Sequence, residues 1–182
     1  MTIIVILVIC FIIVVIIYNQ LIRSSNLMQE ALSAVDVQLK RRYNLIPNLV
    51  AVVKGYKDYE ENILPAVTKL RSQPVNTQTL GEKGKLESGL SKQIKTIFAL
   101  SESYPDLKAN QNFLELQNSL IEVEDQIQLS RRYFNGTVRD YNIQVTSFPQ
   151  ILIALIFKFE RAEFFELEYA TERKTPDVNF KQ

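Results

Sequence analysis

Three groups of polar residues have the types and spacing to do chemistry. Glu122, Glu124 and Asp125 lie close together, with Glu115 two turns upstream. Paired carboxylates serve acid–base catalysis where a pocket shifts one pKa, or hold a divalent cation through oxygen ligands. On a helix such a run is ordinarily the wet face, which is the expectation here. Lys40-Arg41-Arg42 is a basic triplet with a short echo at Arg131-Arg132-Tyr133. It could meet lipid headgroups, but salt bridging to another helix is the plainer reading. Arg131, Asn135 and Asn142 share one helix face. If that face is buried, these groups must be paired in a polar layer that fixes helix register. A ligand groove is the alternative.

Several chemistries drop out. The chain has no histidine, which removes Ser-His-Asp and Cys-His machinery and nearly every catalytic zinc site. Di-metal bundle sites recruit Glu-x-x-His pairs, which this chain cannot supply. Cys10, the one cysteine, lies in an apolar run, so no intrachain disulfide or thiolate cluster can form. A net charge of +1 gives no electrostatic case for nucleic acid. We therefore assign no catalytic, cofactor-binding or metal-ligating residue, and expect no cofactor, no enzyme and no nucleic-acid partner.

The elements that must position these groups begin with an anchor. Ile3 to Ile17 is unbroken Ile, Val, Leu, Phe and Cys; Tyr18 extends it, Leu21 and Ile22 resume it after Asn19-Gln20, and Arg23 ends it. Twenty residues, Ile3 to Ile22, cover about 30 Å as a helix, the thickness of a hydrocarbon core. The fifteen-residue apolar run favours insertion by on the order of 5–9 kcal/mol. A cleaved signal peptide would want positive charge before the core and a small-x-small site after it; neither is present. Arg23, Lys40, Arg41 and Arg42 all lie downstream of the span, so the positive-inside rule places the soluble domain in the cytoplasm.

Beyond the anchor, apolar residues recur at steps of three and four. Leu27, Ala31, Ala34, Val35, Leu39, Ile46, Leu49, Val50, Val53 and Tyr56 predict a helix continuous with the span, kinked at Pro47 and bent again at Pro65. Gly55 would weaken it unless it permits close packing. Ser72 to Gly81 reads as a linker, with a capping box at Thr79-Leu80-Gly81-Glu82. A second helix runs to about Tyr104 with Leu86, Leu90, Ile94, Ile97, Phe98 and Leu100 as its apolar side. Asn110 caps a third, from Asn112 to Thr146, carrying Phe113, Leu116, Leu120, Val123, Ile127, Phe134, Val138, Tyr141 and Val145, with Gly136 its weak point. Ile151 to Phe157 is too short to span a bilayer; a short helix closing one end of the bundle is expected, with a membrane-surface helix as the rival. Thr175 to Gln182 reads as a frayed tail. No long alternating segment calls for β-structure. The fold class is all-α: one N-terminal transmembrane helix followed by an elongated antiparallel bundle of three to four long helices.

The chain also resembles the LemA family of bacterial membrane-associated proteins. The resemblance rests on Tyr18-Asn19-Gln20-Leu21, the string from Asp36 through Arg42-Tyr43-Asn44-Leu45-Ile46-Pro47 to Val50, Val53-Lys54-Gly55-Tyr56 and Glu60. It resumes at Glu102-Ser103-Tyr104-Pro105-Asp106 through Asn110, Phe113 and Leu116, then Arg131-Arg132-Tyr133, Asn135, Tyr141-Asn142, Phe148-Pro149 and Phe165. Asn44 stands where the family pattern often has Asp, Glu124-Asp125 where it favours Glu-Asn, and Lys158 where a small residue is more usual between aromatics. The resemblance implies a single N-terminal span, an outside N-terminus and a cytoplasmic-side helical bundle. It supplies no catalytic mechanism, and the family's association with membrane proteases and envelope functions points to a scaffold or adaptor.

The expected organisation is residues 1–22 as the span with a very short outside tail, 23–174 as a LemA-like bundle, and 175–182 as a flexible tail. The expected protein is a single-pass, membrane-tethered scaffold of the bacterial cell membrane, contacting the bilayer through residues 3–22. Its partners are an unidentified protein or a second copy of itself. The alternative is a ligand or cation sensor built on a polar inter-helix groove.

Overall fold

The computed structural model describes residues 1–55 and 80–165, and every regular element among them is helical. Five helices are seen: α1 (Thr2–Gly55), α2 (Leu80–Ser101), α3 (Pro105–Lys108), α4 (Gln111–Thr146) and α5 (Gln150–Phe157). Pro65, Thr79, most of the Ser72 to Gly81 linker and the tail from Thr175 lie outside the described residues. Leu80 and Gly81, read as the linker's end, already belong to α2.

The span and the first soluble helix are one element. α1 is 54 residues long and contains Pro47 without interruption. Its buried positions are Ile17, Leu21, Ala31, Val35, Leu39, Arg42, Ile46, Leu49 and Val53. Leu21, Met28, Val35, Arg42 and Leu49 stand seven apart, the spacing that keeps one seam turned toward a neighbour. Leu27 is exposed, and its neighbour Met28 is half-buried instead. Ala34 is exposed as well. The seam also starts earlier than the sequence suggested, at Val14 inside the apolar run.

The chain divides into two compact units, and α1 and α4 each contribute to both. The first takes in Met1–Asn44 and Leu120–Phe164. Its apolar cluster joins Ile17 and Leu21 of α1, Tyr141 and Val145 of α4, and Ile153 and Ala154 of α5, with Val14, Tyr18, Met28, Phe159 and Ala162 packed around them. Farther along α1, Arg42 meets Glu124, so the two helices run antiparallel in this unit. On α4, Phe134 and Tyr141 continue the seven-residue series of Leu120 and Ile127, all buried. The Phe148–Pro149 peptide is cis. α5 ends where the amide of Phe159 donates to the carbonyl of Ala154 (2.9 Å) and Lys158 takes a left-handed conformation, φ 57°. A glycine would take that backbone without the Cβ clash.

The second unit takes in Leu45–Ser119 and Phe165–Gln182. Among its described residues Ile46, Leu49, Val53, Leu90, Ile94, Ile97, Leu107, Phe113 and Phe165 are buried. α2 stops at Ser101 rather than near Tyr104, because amides 103 and 104 bond three residues back and tighten the chain into a turn before Pro105. The Asn110 cap is present: its Oδ1 accepts from the amide of Phe113 at 3.1 Å. The Phe98 and Phe113 rings meet edge to face, 6.2 Å apart, tying α2 to α4. Among the described residues, a methyl added at Gly55 or Gly136 would meet nothing within 4 Å.

Two substitutions test this backbone reading from opposite directions. Gly136→Ala, in open space within a helix, is expected to stabilise by about 1 kcal/mol. Lys158→Gly removes a left-handed side-chain clash and should gain about 1 kcal/mol. Thermal unfolding of the detergent-solubilised protein should show both as raised Tm, additive because the sites share no contact.

Candidate functional site

Of the chemically capable groups, Arg42, Glu124, Arg131, Asn135 and Asn142 are buried or half-buried on α1 and α4 of the first unit. Arg42 is 0% exposed and its Nη1 donates to Glu124 Oε2 at 2.7 Å. The sequence stripe left a gap of seven between Leu39 and Ile46; helical geometry fills it with position 42. An arginine in that slot is a buried arginine. The expected inter-helix salt bridge is therefore present at Arg42, while Lys40 and Arg41 remain exposed.

The acidic run separates by face. Glu122 and Asp125 are exposed, as a wet face requires, and only Glu124 turns toward Arg42. Among the described residues no group of three His, Cys, Asp or Glu side chains could hold a metal ion. The arginine echo does not repeat in space: Arg42 and Arg131 are buried, but they occupy different places in the two strings, and Leu129 is exposed where Leu39 is buried.

Arg131 and Asn142 are buried and Asn135 is half-buried, so the shared face faces inward. Asn142 Nδ2 donates to the carbonyl of Ala162 (2.9 Å), and its Oδ1 accepts from the Ala162 amide (2.8 Å). This side chain acts as a peptide group and fastens the segment after α5 onto α4. Beside it Tyr141 is buried; burial, and secondarily the negative charge of Glu160, push its pKa above the ordinary 10.0. One acid escaped the sequence reading altogether. Glu87 of α2 is buried, in phase with Leu90 and Ile94, and the stripe continued one turn upstream would have found it.

Two surfaces remain uncovered in the first unit. Ile121, Leu129, Tyr133 and Ile143 are exposed along α4, with Asp125, Arg132 and Arg139 interleaved. At the other place, Phe148 and the outer side of α5 are exposed and apolar.

This architecture defines a membrane-anchored helical bundle: α1 is long and apolar enough at its N-terminal end to cross a bilayer, and only 6% of that window is buried in protein. The chain belongs to the LemA family, whose family model matches residues 31–180. It is similar to Protein LemA of Metamycoplasma hominis, 33% identical over 134 residues, covering 71% of this chain and 57% of that protein. It is also similar to Magnetosome protein MamQ 2 and Magnetosome protein MamQ 1 of Paramagnetospirillum magneticum, each 27% identical over 175 residues, covering 82% of this chain and 64% of theirs. The chain thus spans 57% of the length of Protein LemA and 64% of that of the two MamQ proteins.

Removing Glu124 takes from the fully buried Arg42 guanidinium the carboxylate that accepts from it at 2.7 Å. Glu124→Ala should cost roughly 3 kcal/mol, while the double variant Arg42→Met, Glu124→Leu should come close to the parent; chemical denaturation of the three proteins in one detergent checks this. A second expectation concerns alkaline pH. The folded state holds the Tyr141 proton beyond the unfolded pKa of 10.0, so its stabilising contribution is complete below that pH. It is lost as pH rises through the raised value. Tyr141→Phe should remove a late-ionising phenol from a tyrosinate absorbance titration and flatten the loss of Tm above pH 10.0.

Proposed function

We propose that this protein is a membrane-tethered scaffold, holding its bundle at the cytoplasmic face and presenting one side of α4 to a protein partner. The observation that carries this reading is the exposed stripe of Ile121, Leu129 and Tyr133. On a helix these three fall within one side, and Asp125, Arg132 and Arg139 are exposed on it as well. Apolar anchors interleaved with charges of both signs suit recognition of another protein better than a solvated surface does.

Engagement of the polar groups also supports it. Glu124 is held by Arg42 and Asn142 by Ala162, which leaves a sensor fewer groups to bind with. The MamQ relatives carry the name of a cell structure, the magnetosome, rather than of a reaction. The cytoplasmic orientation rests on Arg23, Lys40 and Arg41, the cations beyond the span. Tethering confines copies to two dimensions and raises their effective concentration, so a second copy is an allowed partner.

A photo-crosslinking residue placed at Leu129 and separately at Ile121, in living cells, should give the same adduct. The adduct should be missing from a probe at Thr96 on α2 and lost with Arg132→Glu. Adducts that differ between the two positions, or survive Arg132→Glu, would refute the α4 surface. Protease added outside intact spheroplasts should leave the bundle whole; its digestion would reverse the orientation.

A further inference from the structure

α5 presents a problem that neither the anchor nor the scaffold surface resolves. Every residue from Ile151 to Phe157 is apolar. One side of the helix is used: Ile153 and Ala154 are buried against the cluster containing Ile17 and Leu21. The Phe157 ring lies 4.7 Å from that of Tyr18, and Phe159 closes on the same tyrosine at 5.9 Å. The other side carries Leu152, Leu155 and Ile156, with Leu155 72% and Ile156 70% exposed, and Phe148 just before the helix is 80% exposed. A helix apolar all round belongs inside a protein or inside lipid; no described part of this chain covers that outer side.

What α5 leans on says which. The cluster it joins takes in Val14, Ile17, Tyr18 and Leu21 of α1, inside the Ile3 to Ile22 run, with Met28 at its far edge, and the direct ring contact of Phe157 is to Tyr18. At about 1.5 Å per residue, Ile17 and Leu21 lie about 21 and 27 Å along a span that crosses about 30 Å of hydrocarbon. A helix packed at that level stands beside the last third of the bilayer's apolar layer. On α1 at the same level Val15, Ile16 and Ile22 are likewise apolar and exposed.

We propose that α5 is immersed in the bundle-side leaflet, with Phe148, Leu152, Leu155 and Ile156 in contact with phospholipid acyl chains. Past Lys158 the chain still packs Phe159 and Ala162 on the same cluster as it turns out of the apolar layer. Lys158, Glu160, Arg161 and Glu163 lie outside the core and their charges cancel, so insertion is apolar and needs no anionic headgroup. This inference rests on α1 spanning the bilayer, and the test separates the two.

The sequence has no tryptophan, so single reporters are unambiguous. The full chain is reconstituted in phosphatidylcholine vesicles carrying Leu155→Trp, Ile156→Trp, Ile9→Trp in the span, or Tyr133→Trp on α4. Phosphatidylcholine brominated high on the acyl chain should cut the Leu155→Trp and Ile156→Trp emission by about half or more, as expected for a helix at the headgroup–acyl boundary. Tyr133→Trp should be untouched, and adding anionic lipid should change nothing. If Ile9→Trp is quenched by lipid brominated deep in the chain but both α5 reporters are not, the span stands and the immersion of α5 is overturned. If none of the three is quenched at either depth, the span itself is wrong. Reporters on α5 that respond only to protein density in the vesicle would show a second copy covering the helix, and quenching confined to anionic vesicles would show a headgroup contact; either result refutes the acyl-chain assignment.

Discussion

The packing of α4 and α5 onto Ile17 and Leu21 is the constraint from which the first unit is built. Those two residues belong to a run that composition alone assigns to the bilayer, yet both are buried in the protein's own core. The anchor is therefore a structural member as well as a tether. Cutting it after Ile22 would strip two core side chains from Tyr141, Val145, Ile153 and Ala154. That is why a cleavable leader fits this chain poorly on physical grounds, independently of the missing cleavage site. Because α1 continues as one helix through Arg23, whatever fixes the span's rotation about its axis also fixes which way the Ala31, Val35 and Leu39 seam faces.

Apolar seams hold helices together but discriminate weakly between registers, since one heptad of Val, Leu and Ile resembles the next. The polar contacts supply the discrimination. Sliding α4 by one turn would part Arg42 from Glu124 and leave a fully buried guanidinium without its carboxylate. Asn142 works at the other end of α4 by a different means, taking both hydrogen-bonding groups of Ala162 and so fixing the path of the chain after α5. The residues that looked most like chemistry are in large part the residues that set alignment.

Much of this was legible in the sequence. Helical class, the Asn110 cap, the short helix at Ile151 to Phe157 and the sharing of one face by Arg131, Asn135 and Asn142 all follow from spacing and side-chain type, whereas the burial of that face does not. The departures share a physical cause. Periodicity is a contrast between apolar and polar positions, and from Ile3 to Ile17 there is no contrast, so the seam through Val14 and Ile17 was invisible. The converse failure hid Arg42 and Glu87: the phase was right, but a charged residue in phase was passed over because burial of a charge requires a partner that sequence does not reveal. Leu27 shows the remaining ambiguity, since two adjacent apolar residues leave the stripe free to run through either.

The separation in sequence between Leu21 and its neighbours has a consequence for how the molecule is made. The first 22 residues leave the ribosome early, whereas Tyr141 and Ile153 emerge when the chain is almost finished. Throughout that interval the inner edge of the anchor has only lipid to touch. Completing the core then exchanges one greasy environment for another, so removal from water contributes little there and tight steric fit must drive the step. Translation order thus makes the nascent helix a waiting template, and its last two turns are finished only after the carboxyl-terminal half arrives.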